Sequence, residues 1–380
     1  MAVPDPAGRW DAVIAGGGAS GLSLACHLAA GGWRDRSVLV VDDGSRDLDP
    51  RAWAYGSREP DLLGDAVDRT FDRLRLRSAD RAVEVRLDRY RYRVVTGARL
   101  RRAASGLLAG APGFRLVRGH VDGVEDRGTG ALVRVDGRPV RTGWAFDSVT
   151  SDAGADPAAW LTFTGWEVET PADAFDPAVP ILMDFRTGQD GDVRFVYVLP
   201  SSARRALVEH TRFGTAGPAD GDAALHDYLS TVLPAAGYRV RRREGGRLPL
   251  VPAWPAPARR RVVRIGVPGG MLKASTGYAW SRIQRHSAAI ARSLARGEDR
   301  VGSVPGDRRH AFLDQVLLDV LVAEPDRLEA AFLRLFARNP GDRVLRFLDE
   351  DTSLGQEALL VATLPPAPFL RAMARRLLRR

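Results

Sequence analysis

Cysteine is almost absent from this sequence. The one residue, Cys26, excludes an internal disulfide, and a chain so poor in thiols is expected in a reducing cytoplasm. No run of about 18 apolar residues occurs, so no helix is expected to span a membrane. The opening residues, MAVPDPAGRWDAV, carry neither a charged n-region nor an apolar h-region, so no secretory signal is expected there. Histidine is scarce as well. The six residues are scattered without metal-ligand spacing to one another or to Cys26, which argues against a metal site. Lysine is nearly missing: Lys273 is the only one among 56 basic residues, the rest being arginine. Such a bias suits GC-rich coding, and it singles out the one position where a slim ammonium is kept in place of a guanidinium fork. The net charge of +9 does not point to nucleic acid, because the arginines are spread among 47 acids and no basic helix with interleaved aromatics occurs. An anionic lipid surface is the better match for it.

What is present is organised around Trp10 to Asp43. Ala12 to Ala15 reads as a short buried strand, and Gly16, Gly18 and Gly21 follow in G-x-G-x-x-G spacing, with Gly17, Ala19 and Ser20 between them. The three glycines allow the tight turn, the approach of backbone to a pyrophosphate, and the close packing of helix on strand. Gly31 and Gly32 end the helix. Val38 to Val41 forms a second strand whose terminal Asp42 is placed to accept hydrogen bonds from a ribose; an acid here favours an unphosphorylated ribose, as in FAD or NAD.

Further on, residues 61–71 read as helical, RLRLRS, AVEVRL and RYRYRVV as strands, and Leu100 to Leu108 as a helix. FRLVRGHVDGVED and ALVRVDG read as strands meeting at glycine turns, and AWAFDSVTSD as a return to the nucleotide domain. Between Trp160 and Pro252, LTFTGWEVET, VPILMDFR, VRFVYVLP and RRALVEHTRFG predict an antiparallel substrate domain, with a helix over 220–236. Val262 to Gly266 reads as a strand and Tyr278 to Arg296 as a helix that return to the first domain. The last eighty residues are helical, with stripes such as Leu313, Val316, Leu317, Val320 expected in the core.

Several of these stretches together resemble the bacterial flavoprotein lycopene cyclases: RYRYRVV, FDS at Phe146 to Ser148, GWEVET, MDFR, FVYVLP, ALVEHT, GGMLKASTGYAWSRIQRHS and FLDEDTSL, in that order over nearly the whole chain. The resemblance implies an α/β fold: a Rossmann-like FAD-binding domain (1–60, 96–155 and 259–300), an interleaved antiparallel-sheet substrate domain (61–95 and 156–258) and a helical C-terminal region (301–380). It implies redox-neutral closure of the linear ends of lycopene, or a related polyene, to β-rings. The cofactor implied is reduced FAD, for which NAD(P)H can serve as the electron source. The chemistry needs an acid in an apolar pocket and a nearby anion for the carbocation.

By resemblance Glu209, in ALVEHT, is the catalytic acid and base. Leu207, Glu209 and Thr211 share one strand face, and His210 points the other way. From the residues alone, an edge-strand glutamate paired with an arginine is the competing reading. Thr276, Gly277 and Tyr278 of KASTGY are expected at the flavin ring, where a helix N-terminus stabilises an anionic reduced flavin. Lys273 either adds charge there or is an exposed loop cation. Trp53, Tyr90, Tyr92, Trp166, Phe185 and Tyr197 are candidates to line a polyene tunnel, with about half expected to touch substrate, since most aromatics are core.

Two other classes share the glycine turn. A flavin monooxygenase or related oxidoreductase is disfavoured because IGVPGG lacks the Gly-Asp pair of the hydroxylases, and a non-catalytic carotenoid carrier needs neither an acid nor a flavin-facing loop. The C-terminal PFLRAMARRLLRR groups Leu370, Met373 and Leu377 on one face among arginines. That pattern suits either a peripheral helix on the inner face of the cell membrane or a packed terminal helix whose arginines offset its dipole.

Overall fold

The computed structural model describes residues 9–150, 157–215, 220–233, 237–251, 260–301 and 308–378. Its first sheet has a parallel centre. Arg9–Ala15 pairs with Val38–Asp42 on one side and Arg138–Asp147 on the other, Phe114–Arg118 extends the first side, and Val262–Arg264 joins Arg138–Asp147. Ala131–Val135 and Val121–Asp126 add an antiparallel flank. Parallel strands need both faces covered, and the run Val13, Ile14, Val38 to Val41 supplies apolar side chains to both. Ile14 and Val40 pack with Leu24, Leu28, Ile290 and Leu294 of the helices Ala19–Leu28 and Trp280–Ala295. On the other face Val13, Leu39 and Val41 meet Val117 and Val133.

The second sheet has seven strands in the order Arg239–Leu250, Ala159–Glu169, Arg205–Gly214, Val193–Ser202, Ile181–Asp184, Arg73–Arg77, Ala82–Arg86. All its pairs are antiparallel except Ile181–Asp184 with Arg73–Arg77. Strand alternation divides its residues between two environments. Val196, Val198 and Val208 pack under the helix Gly221–Val232, whereas Leu161, Phe195 and Phe213 face the C-terminal helices Arg308–Ala323, Leu328–Arg338 and Pro366–Leu378.

Two local expectations are corrected. Residues 61–71 are not a helix but a single turn of 3-10 helix, Gly64–Ala66, followed by the strand Val67–Phe71. That strand pairs with Arg91–Thr96, which also pairs with Ala52–Ser57, in a three-stranded sheet. The β-branched and aromatic residues of VDRTF fit a pleated surface once partners exist, and tertiary pairing overrides the helical pattern. The face of the terminal helix that carries Leu370, Met373 and Leu377 is only partly free. Phe369 and Ala372 enter the core and Met373 packs against it, leaving Leu370 58%, Leu377 63% and Leu378 88% exposed. Arg371 pairs with Glu324 and Arg376 with Asp319, while Arg379 and Arg380 lie outside the described residues. Among the described residues no helix is long and apolar enough to cross a membrane.

Candidate active site

The glycine turn is held by contacts that exclude side chains. Gly16 has φ +102°, a conformation that L residues rarely adopt, and a β-carbon on Gly21 would lie 1.8 Å from the Gly16 carbonyl oxygen. At Gly18, the N-cap of helix Ala19–Leu28, a β-carbon would meet no atom within 4 Å, because that side opens into a cavity. Asp42 ends its strand beside this turn. Its Oδ2 accepts the Gly17 N–H at 2.6 Å and its Oδ1 the Gly44 N–H at 2.8 Å, so the acid braces the turn while also lining the cavity. Ser148 donates from its hydroxyl to the Ala15 carbonyl at 2.7 Å, and the buried Asp147 accepts the Val149 and Thr150 amides, which ties the FDS stretch to the same strand end.

The cavity is about 1660 Å³ and runs from this turn to the second sheet. A pocket for one drug-sized ligand is about 300–1,000 Å³, so there is room for a dinucleotide and a second molecule. Gly16, Gly17, Gly18, Ala19, Ser20 and Asp42 line it at one end, together with Arg46, Arg101 and Arg118. Thr276, Gly277 and Tyr278 also line it, just before the N-terminus of the helix Trp280–Ala295. Gly277 has φ +74°, and a β-carbon there would sit 2.5 Å from Leu161 Cδ1. At the far end the walls are Trp53, Leu161, Phe163, Leu199, Leu207 and Leu248. An open cradle at Gly18, donor amides at a helix start and an acid beside the turn are the features a dinucleotide requires, so the residues present fit such a group.

Glu209 projects into the apolar end. Thr211 donates its hydroxyl to Glu209 Oε1 at 3.2 Å. Burial is the main cause that raises the carboxyl above its ordinary range, followed by the negative charge of Glu244, with Thr211 and Arg51 acting in the opposite direction. Tyr92, Tyr197 and Tyr278 surround it. Burial raises each phenol first and proximity to the Glu209 charge adds to it, so all three are neutral donors at pH 7. His210 is on the opposite face, buried near Arg194 and Arg212, where burial above all lowers it to about 4.

Of the six aromatic candidates, Trp53, Tyr92 and Tyr197 line the cavity. The other three are corrections. Trp166 is one residue out of phase with Gly165, so it faces the helix Gly221–Val232 and donates to Asp222 at 2.7 Å. Phe185 is core, packed edge-on against Phe195, and Tyr90 is buried with its hydroxyl donating to Asp351 at 3.3 Å. Lys273 is neither at the cavity nor exposed. It is 2% exposed, with its ammonium 2.6 Å from Asp314 and 3.1 Å from Glu350, and Arg282 joins the same cluster. Its backbone holds the loop instead: the Lys273 N–H donates to the Tyr278 carbonyl and the Lys273 carbonyl accepts the Gly277 N–H, both at 2.8 Å.

Sequence reasoning missed Glu244, which lines the same cavity as Glu209, one strand removed on the same sheet. The available signal was composition: Glu244 is the only acid in the strand Arg239–Leu250, among five arginines. It also missed Arg51, which donates to the Gly245 carbonyl beside that acid.

Fold and cavity together define a flavoprotein architecture of the Rossmann type with a second sheet closing the far end of the cavity. Solved structures share it. A flavoprotein/dehydrogenase from Cytophaga hutchinsonii superposes with TM-score 0.65 at 12% identity, covering 98% of this chain and all of that one. HpxO of Klebsiella pneumoniae, in complex with FAD, gives TM-score 0.62 at 16% identity over 90% of this chain and 98% of its own. At such identities the likeness concerns the fold. The sequence is more specific: the family model described as lycopene cyclase protein matches residues 11–374, and the chain belongs to that family. The lycopene beta-cyclase of Paracoccus sp. is 30% identical over 94% of this chain and 95% of its own length, and the chloroplastic lycopene beta cyclase of Arabidopsis thaliana is 24% identical over 79% and 64%.

Proposed function

We propose that this protein cyclises the linear ends of lycopene or a closely related polyene to β-rings, with FAD in its reduced form as cofactor. The observation that carries the reading is Glu209, a carboxyl raised by burial at the apolar end of a cavity that begins at a dinucleotide-type glycine turn. Gly16, Gly17, Gly18, Ala19, Ser20 and Asp42 would hold the FAD phosphates and ribose, with Gly21 packing the helix against the turn rather than lining the cavity, and Thr276, Gly277 and Tyr278 would hold its ring system. Bound and reduced, FAD supplies negative charge beside a carbocation without net electron transfer. Glu209 holds the proton, donates it to the terminal alkene, and the neighbouring double bond attacks the resulting tertiary cation. Loss of a ring proton completes an isomerisation. The leucine and phenylalanine walls exclude water that would quench the cation, and the faces of Trp53, Tyr92 and Tyr197 stabilise it.

Lycopene dissolves in lipid, so the enzyme takes it from a bilayer surface. The exposed Leu370, Leu377 and Leu378 beside Arg375 support a peripheral contact. The test is pigment chromatography after anaerobic incubation with lycopene liposomes and chemically reduced FAD. Wild-type protein is expected to yield cyclised pigment without consuming reductant. Glu209→Gln, which keeps the shape and removes the proton, should bind FAD and fall about a hundredfold or more in rate. No cyclised product from the wild type, or a fully active Gln variant, would refute the reading.

A further inference from the structure

The strand Ala159–Glu169 runs between the Glu209 strand and the Glu244 strand, and both glutamates are in register with the same residue, Gly165. Neighbouring strands are ~4.8 Å apart, so the two backbones stand roughly 10 Å from each other, a gap that two glutamate side chains close by reaching inward. Gly165 makes that reach possible. A β-carbon there would come 2.9 Å from Glu244 Cγ, 3.4 Å from Glu244 Oε1 and 3.3 Å from Leu207 Cδ1 of the Glu209 strand. The Glu244 side chain therefore lies over the glycine, on the cavity face. Its two oxygens differ. Oε2 accepts the Ala52 N–H at 3.2 Å, whereas the buried Oε1, the atom over Gly165, has no hydrogen-bond partner among the described residues. A buried carboxylate oxygen left unpaired is costly, and one aimed into a cavity marks a place where a proton or ligand belongs.

The surroundings of the two acids are unequal. Burial raises Glu244 as well, to about 7, but the Arg242 guanidinium, the Ala52 amide and Arg51 favour its anion, with Glu167 acting against it. Burial and then Glu244 itself act against the Glu209 anion, with only the Thr211 hydroxyl and Arg51 in its favour; its other neighbours, Tyr92, Tyr197 and Tyr278, are neutral phenols. Two carboxyls whose environments push them apart divide into an acid and a base.

Resting on the cyclase reading, we propose that Glu244 is the second proton-transfer residue of the reaction: it is the anion of the pair, receives the proton lost from the ring, and returns it to Glu209. The step balances. The Glu209 O–H bond breaks as the alkene carbon gains its hydrogen, and ring closure moves the cation along. The ring C–H pair then becomes the new double bond while Glu244 Oε1 takes the proton. Transfer of that proton from Glu244 to the Glu209 carboxylate restores the starting state with no electron gained or lost. Glu244 also keeps Glu209 protonated between turnovers, by the repulsion of a like charge.

The test compares wild type, Glu244→Gln and Glu244→Asp as FAD-loaded enzymes. Glu244→Gln should bind FAD normally, lose roughly a hundredfold in cyclisation rate, and show the alkaline limb of its pH–rate profile at lower pH, since Glu209 no longer feels a neighbouring charge. Glu244→Asp should keep the wild-type profile and more of the rate. A second readout needs no turnover: the infrared C=O band of protonated Glu209, identified by its loss in Glu209→Gln, should titrate at lower pH in Glu244→Gln than in wild type. An unchanged band titration, a wild-type rate in the Gln variant, or Gln and Asp variants impaired alike would overturn the proposal. An inactive wild type with a shifted band would instead remove the cyclase reading and the relay while leaving the coupled pair in place.

Discussion

The glycine turn permits a prediction in which fold and cofactor separate. At Gly21 an added methyl group collides with the Gly16 carbonyl at 1.8 Å and reaches Ile14 Cγ2 at 3.3 Å. Neither neighbour is the end of a flexible side chain, so the helix Ala19–Leu28 and the strand Arg9–Ala15 have to part by well over an ångström. Overpacking of this kind costs about 1–3 kcal/mol or more. For a chain of this size that is a fall of roughly 1–4 °C in the Tm of the FAD-free protein. At Gly18 the same methyl group meets nothing, and φ −75°, ψ −167° is a conformation that alanine adopts. Gly18→Ala should therefore leave the stability of the FAD-free protein within about 1 kcal/mol of wild type, the scale of an N-cap change. It should nevertheless weaken FAD, because the methyl group stands where the pyrophosphate must approach. The same overpacking range, about 1–3 kcal/mol, corresponds to roughly 5- to 150-fold in Kd. Thermal melts of FAD-free protein and flavin fluorescence titrations measure the two quantities. If Gly18→Ala binds FAD like wild type, or Gly21→Ala melts like wild type, the assignment of the turn is wrong.

Two further changes read other parts of the molecule. Lys273→Met removes the cation between Asp314 and Glu350 and leaves them Arg282, with Ser275 on Asp314 and Arg285 near Glu350; unfolding in urea should show a loss near the low end of the about 3–5 kcal/mol typical of a broken buried pair, and a loss under about 1 kcal/mol would contradict a structural role. Replacing Leu370, Leu377 and Leu378 together by serine should leave the Tm unchanged, because all three are exposed, and should reduce flotation with anionic vesicles; equal flotation would exclude the terminal helix from membrane contact.

Gly16 to Gly21 and Asp42 could be read from the sequence because that unit is local. Strand, turn, helix and strand are consecutive, and the chemistry resides in backbone geometry that only glycine permits. That Leu207, Glu209 and Thr211 share one face could be read for a similar reason, since a strand alternates with period two and the three must turn together. The same rule, applied along one strand, does not say which phase faces the cavity, and Trp166 falls in the wrong one because its phase is set by pairing of Gly165 with Glu209 across the sheet. Residues 67–71 became a strand because Arg91–Thr96 offered an edge, a partner about 25 residues away that no local pattern contains. Lys273 is a further case: its charge is neutralised by Asp314 and Glu350, which the fold carries in from 41 and 77 residues downstream. Glu244 illustrates the limit most clearly. Its meeting with Glu209 requires two strand registers to coincide at one glycine, and register is a property of the assembled sheet, decided by which hydrophobic faces are buried against which neighbours. The sequence by itself determined the turn, the strand faces and the family; the tertiary structure alone brought two acids to one glycine, because long-range pairing, not local preference, sets which side chains share a cavity.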